Sequence, residues 1–355
     1  MAFIFSESAG TNDAKIGRLL NPLKMIIENE SDLQKKKGGA LDWLYNIEKS
    51  GRYGETIAYQ DDFGSFKAAV EGGGAETDGI VETRSKFIEH IPFKKEFIIT
   101  REMLDDSIVG IASDAKRRAE NFTRAYYKTM NEIAQRALIN GTSESMVYNG
   151  AVVDLTTADG KPVFSSAHLY GSEKGKGEGI QSNYFYKERA SGEDITAEVV
   201  EDMLINAASK IRLMKDENGD VLGYVADTVI IPGNLPLFEK LVKEALGSEL
   251  NANSSSNGIN VNYGNFTLVI LPDWQVEANG EYPMIVMSSE ANKNLAGNMF
   301  FNRVPLDIKN WEDGHTRNWV FNGYCRFGIG FGSYKHISKI VSVANGSQLN
   351  GAQSV

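Results

Sequence analysis

An α+β chain is predicted, with an N-terminal arm, an extended β-hairpin, one long helix and a separate α/β region. Three observations carry this. Apolar residues recur at steps of three and four from Ile108 to Ala137, strand-like runs flank the triple glycine at 72–74, and helix and strand patterns alternate beyond residue 196. A chain of 355 residues has room for roughly one to three domains and a substantial core.

Residues 1–52 read as an arm. Leu19, Leu20, Leu23, Ile26 and Ile27 have helical spacing, but Pro22 predicts a break, and Gln34 to Gly39 is polar. Leu41, Trp43, Leu44 and Ile47 form a second short apolar group. So little apolar content needs something else to lie on.

Residues 53–99 read as one long hairpin, with strands at Glu55 to Val70 and Ile80 to Ile99. Gly72, Gly73 and Gly74 reach positive φ at little steric cost and make a mobile tip. A two-stranded ribbon is marginal alone in water, so the surface it needs is assigned to another copy of the chain.

A helical stretch opens at Thr100-Arg-Glu-Met, with Thr100 as N-cap. Ile108, Ile111, Ala115, Ala119, Phe122, Tyr126, Met130, Ile133 and Ala137 then form one buried stripe, ending at Asn140-Gly141. A helix over 105–139 spans roughly 45 to 54 Å. A globule of this size is only about 50 Å across, so an elongated, flattened subunit is expected.

Residues 100–195 thus form a first body, glycine-rich after 142, with a turn at Ala158 to Lys161 and a loop at 171–179. The α/β region is placed at 196–304. It has a helix capped by Thr196, a turn at 216–220, a strand at Thr228 to Ile231, a helix from about Pro236 to Leu246, and strands at Thr267 to Leu271 and Met284 to Met287. A β-rich return occupies 305–345, and 346–355 is a tail.

Composition removes several classes. With 47 acidic and 37 basic residues the net charge is −10, the wrong balance for a protein that wraps nucleic acid through phosphates. The single cysteine, Cys325, excludes an internal disulfide framework. The N-terminus lacks a signal-peptide pattern, and no apolar run is long enough to cross a membrane. A soluble cytoplasmic product is expected.

No catalytic or metal pattern survives inspection. Gly171 to Gly177 falls one residue short of a phosphate-binding loop and has Gly177 where the hydroxyl belongs. Asp216, Asn218, Asp220 and Asp227 fit four positions of a calcium loop, but Val221 replaces the obligatory glycine. His90, His168, His315 and His336 are scattered, with no metal-ligand spacing to Cys325. Ser165, Ser166 and His168 lie close in sequence without a nucleophile elbow. Lys116, Arg117, Arg118, Arg124, Lys128 and Arg136 give the long helix a basic outer face, read as solvated or bridging between subunits. No catalytic residue, cofactor or metal ion is assigned.

The order of parts then resembles the major capsid protein of tailed bacteriophages, most closely the Mu-like major head subunits. The phrases that carry the resemblance are FIITREMLDDS (97–107), DGKPVFSSAHLYG (159–171), VIIPGNLPLFEKLVKEAL (229–246) and NWVFNGYCRFGIGFGSYKHISKI (318–340). It spans nearly the whole chain, and its specificity lies in order and spacing. It implies a tailed-phage capsid fold, in which the hairpin reaches over a neighbour, the long helix is the spine of a peripheral domain, and 196–304 is the axial domain. Encapsulin shells share that fold.

The resemblance implies a structural protein of the virion that self-assembles in the bacterial host cytoplasm. Its hexamers and pentamers would form an icosahedral head around double-stranded DNA, which it touches weakly or non-specifically. An encapsulin-like cargo shell is the first alternative, and a hydrolase using Ser166 and His168 the second. With only about fifty residues before the hairpin, a separate scaffolding protein and a portal are expected in place of a cleaved built-in scaffold. Hairpin lysines available for cross-linking are Lys67, Lys86, Lys94 and Lys95. Inter-subunit contacts are expected at Gly72, Gly73, Gly74, Phe87, Ile91, Phe93, Arg117 and Arg124.

Overall fold

The helices follow the apolar pattern, and departures from it occur where strands pair across long stretches of sequence. The computed structural model describes residues 4–5, 14–60, 68, 71, 74, 82–102, 111–171, 179–189, 194–247, 262–277, 280–344, 346–347 and 349–355. The chain begins with β1 (Ile4–Phe5) and α1 (Ala14–Lys37). α1 continues through Pro22, where the sequence predicts a break. Proline forfeits one ladder bond, but the following turns bury Leu23 and Ile27 in the main core and hold the helix together. The second apolar group divides into α2 (Ala40–Leu44) and β2 (Asn46–Lys49).

The predicted hairpin also divides. Its ribbon is β3 (Gly54–Gln60) antiparallel to β4 (Glu82–Glu89). After His90, β5 (Ile91–Ile99) pairs instead with the C-terminal strand Trp319–Phe331. The switch occurs because β3 has ended: His90 N–H reaches back to the Tyr53 carbonyl at 3.3 Å, and the chain before it turns away. Of the tip, Gly72 and Gly73 lie outside the described residues.

The long helix is α3 (Ile111–Ile139), 29 residues and so about 43 Å long. The predicted residues 105–110 lie outside the described ones. Its stripe is buried, from Ala115, Ala119 and Phe122 to Met130, Ile133 and Ala137. Short strands follow: β6 (Ser145–Tyr148), β7 (Ala151–Asp154), β8 (His168–Tyr170), β9 (Gly179–Gln181) and β10 (Tyr184–Glu188). Then come α4 (Ala197–Arg212), β11 (Thr228–Pro232), α5 (Pro236–Gly247), β12 (Thr267–Leu271), β13 (Tyr282–Met287) and α6 (Ser289–Asn294). The Thr196 hydroxyl caps α4 by accepting from Val199 N–H. The chain closes with β14 (Asn298–Glu312), β15 (Trp319–Phe331), β16 (Ile337–Val343) and β17 (Gln353–Ser354).

Two sheets organise these strands. One runs β1-β14-β15-β5, with β2 also on β14; the other runs β12-β11-β13-β16-β10-β17. Strands of the second are apolar at nearly every position because both faces are covered. Val229, Ile231, Met284, Val286 and Ile340 enter a core under α4 and α5. Their alternates Ile230, Ile285, Met287 and Val341 enter the larger core that α3 also occupies. The sheet is the wall between two cores.

That sheet crosses the borders the sequence suggests. β10 belongs to it although it precedes residue 195, and β17 from the tail adds to its edge, while in the other sheet β14 spans residue 304. Local pattern carries no information about such pairings.

A buried polar knot locks the two sheets together. Asn298 donates to the Leu44 carbonyl at 2.8 Å and accepts from His336 Nε2 at 2.8 Å. Burial pushes the His336 imidazole down to about 3, so it stays neutral. An unfolded chain protonates this group near 6.5, so its contribution is whole above that pH and is lost as pH falls toward 3. Thermal unfolding between pH 7 and 4 is therefore expected to show falling stability, with a shallower slope in His336→Gln; equal slopes would remove His336 as a cause.

Candidate inter-subunit surface

The ribbon's root is fixed by close approach. Ile91 pairs with Phe327 on β15, and β4 keeps that line beyond β5. A Cβ on Gly330 would meet Ile88 Cδ1 at 2.8 Å, and one on Gly328 would meet the Glu89 carbonyl oxygen at 2.8 Å. Gly332 faces Ile57 of β3, again too closely for a side chain without adjustment. Gly328 and Gly330 thus make a slot on β15 into which β4 settles, and Gly332 just past its end lies against the Ala296 carbonyl and Ile57. Alternation on β4 then sends Lys86, Ile88 and His90 inward and Ser85, Phe87 and Glu89 outward.

A buried lysine and a partly buried arginine clamp the same root. Lys86 bonds Thr156 Oγ1 at 2.6 Å and pairs with Asp154. Burial would raise the Asp154 carboxyl, but the Lys86 and Thr156 bonds outweigh it and hold it below its ordinary range. Arg84 donates to the Leu169 carbonyl at 3.1 Å and the Gly171 carbonyl at 3.2 Å, and meets Glu217 at 3.3 Å. Glu217 in turn holds Lys335 at 2.7 Å. Glu217 stands in the 216–220 turn, whose Asp216 accepts from the N–H groups of Asn218 and Asp220, both at 2.8 Å. The acidic turn serves the clamp.

His168 has a packing role. It is fully buried, its ring stacked on Tyr334 with centroids 3.7 Å apart, and Nδ1 meets Asp159 at 2.8 Å. Burial would raise Asp159, yet the bonds from His168, Thr157 and Leu169 N–H keep it low. Nε2 faces the Val163 carbonyl at 3.3 Å rather than a serine, which leaves the imidazole no nucleophile to activate. Among the described residues no cluster of three His, Cys, Asp or Glu side chains is placed to hold a metal ion. None of their helices is long and apolar enough to cross a membrane.

The residues expected at contacts fall into two sets. Phe87 is half exposed and stacks on the exposed Tyr53, and Gly74 stands in open space. Phe93 stacks inward on Phe327 at 4.7 Å, and Ile91 packs on the main core. Arg124 reaches Glu30 of α1 at 2.7 Å, drawing that carboxyl down, while Arg117 meets Asp114 at 3.2 Å. Of the lysines, Lys67 lies outside the described residues, Lys86 is committed to the clamp, Lys94 lies over the Tyr324 ring, and Lys95 is exposed. The structure adds Val147 and Val152, opposite each other on β6–β7 and mostly exposed.

Sequence reasoning missed Arg84, Glu217 and Lys335. They lie more than one hundred residues apart pairwise, and nothing local marks them.

No family model matches the chain, and no curated protein does. Solved structures do. The capsid of cyanophage P-SCSP1u aligns with a TM-score of 0.53 at 10% identity, over 87% of this chain and 89% of that one. The capsid of Myoviridae phage XM1 aligns with 0.48 at 13%, over 86% and 92%, and a chain of Mycobacterium phage Patience with 0.48 at 12%, over 97% and 92%. The first of these establishes a shared fold.

Glu217→Gln is expected to destabilise the chain by about 3 kcal/mol, since it removes the carboxylate that faces the buried Lys335 and the partly buried Arg84. Urea unfolding checks this. Pairing it with Lys335→Met should recover part of the loss, and strict additivity would deny the coupling.

Proposed function

We propose that this chain is the major shell subunit of a tailed-phage head. It acts by geometry: copies assemble in the host cytoplasm into hexamers and pentamers of an icosahedral container for double-stranded DNA. A scaffolding protein and a portal complete the assembly. The observation that carries the reading is the ribbon, rooted by a glycine slot, the buried Lys86 and the partly buried Arg84, yet reaching past the end of β15. A root built this firmly fixes the line on which β3 and β4 stand. The fold shared with the cyanophage capsid supports the reading, as do the four phrases resembling Mu-like head subunits. A net charge of −10 suits a container that DNA must enter without adhering.

Stability then comes from number. Obligate interfaces bury on the order of 2,000–5,000 Å², and each copy contributes several. Phe87, Tyr53, Gly74 and the Val147–Val152 pair are the contact residues this reading selects, together with Arg117 on the outer face of α3.

The decisive variant removes residues 61–81 and joins Gln60 to Glu82 through a short turn, leaving Lys86, Ile88 and His90 in place. It should unfold cooperatively near the wild-type temperature and form no shells by negative-stain microscopy. Normal particles from that deletion would contradict the role given to the ribbon.

A further inference from the structure

Among the described residues three lysines are buried: Lys86, Lys335 and Lys339. The first two hold carboxylates, Asp154 and Glu217. Lys339 does not. It lies on β16 between Tyr184 of β10 and Ile285 of β13, in register with both. Ile337 and Val341, its neighbours on the same face of the strand, belong to the main core. Alternation therefore sends a lysine into an apolar interior, where it is only 8% exposed.

What meets the amine there is aromatic. Nζ lies 5.5 Å from the centroid of the Phe164 ring, 5.7 Å from that of Tyr184 and 5.8 Å from that of Trp274. The rings come from three separate segments, the loop before β8, strand β10 and the turn just after β12, and all three are buried. No carboxylate of the described residues comes within 4.0 Å of Nζ. None of those residues gives it a hydrogen bond either, yet Nζ is not sealed from solvent.

Such surroundings favour the free amine. An ammonium taken from water needs a counter-charge or hydrogen bonds to keep its proton. Ring faces attract a cation only within about 6 Å, and these three stand near that limit. Burial accordingly pushes the Lys339 amine down to about 8, with Glu281, at the entrance to β13, drawing it back up. The Tyr184 hydroxyl, itself pushed up to about 12 by burial, stays neutral beside it. At pH 7.5 roughly a quarter of a group titrating at about 8 is unprotonated, against about one part in a thousand of an ordinary lysine.

We propose that Lys339 is a covalent modification site, a nucleophilic amine that takes small, uncharged, apolar aldehydes between the rings of Phe164, Tyr184 and Trp274. The Nζ lone pair attacks the carbonyl carbon, and one amine proton passes to the carbonyl oxygen. That oxygen then leaves as water with the second amine proton, and a carbon–nitrogen double bond remains. Nothing is oxidised or reduced. The rings keep bulk water from the product and so slow its hydrolysis. They also select the aldehyde, because an anionic one would have to bury its charge among them. The site does not depend on the shell reading, since every group in it belongs to one chain.

The test treats the purified full chain with propanal and sodium cyanoborohydride at pH 7.5, which fixes each adduct as a propylamine, and follows individual lysines by peptide mass spectrometry. Lys339 should be labelled at least tenfold faster than the exposed Lys95. Glyoxylate, an anionic aldehyde, should reverse that order. In urea the two lysines should react at similar rates, because the advantage belongs to the folded core. Lys339→Met should lose the fast product and leave labelling of Lys95 unchanged. Labelling of Lys339 no faster than Lys95, no labelling of it at all, an equal advantage with glyoxylate, or an advantage that survives unfolding would each overturn the proposal.

Discussion

How closely β4 can approach β15 determines where the ribbon points, and most of the molecule's distinctive behaviour depends on that direction. Gly328 and Gly330 alternate along one face of β15, where the absent side chains leave room for Ile88 and the Glu89 carbonyl, and Gly332 follows just past the strand's end. A larger residue at any of them would push the ribbon off its line. Lys86 and Arg84 then fix the strand from the other side, through Asp154 and Glu217. Buried charge pairs contribute little net stability as a rule but are costly to break. Such pairs suit a part whose orientation matters more than its strength.

The rest of the fold supplies a rigid base. α3 runs the length of the main core, and the six-stranded sheet shares its two faces between that core and a second one under α4 and α5. Side chains in such interiors are close-packed and transmit displacement. The knot of Asn298, His336 and the Leu44 carbonyl ties the long strand β14 and the turn before β16 to α2. Load applied to the ribbon is therefore carried into both cores.

The legible part of this structure was its local part. The stripe on α3, the Thr196 cap, the strand Thr228–Pro232 and the helix from Pro236 all follow from spacing and residue type within a few turns of chain. Pro22 misled because burial of Leu23 and Ile27 outweighs one missing bond. The hairpin divided at His90 because β15, more than two hundred residues on, competes for β5. Phe93 illustrates the same limit at the candidate surface: it was expected at an inter-subunit contact, and the ring it stacks on is Phe327 of its own chain. Phe87, another residue expected at a contact, does face outward, because β4 alternates its side chains between the body and solvent. The Arg84–Glu217–Lys335 clamp joins three distant segments and had no signal to read.

The central claim is that this polypeptide is completed by copies of itself. Sedimentation velocity of the purified wild-type chain over a range of concentrations tests it most directly. The account predicts pentamers, hexamers or larger closed particles, with the 39.1 kDa species receding as concentration rises. A single 39.1 kDa species at every concentration, unchanged by salt or by the lysate it came from, would contradict it.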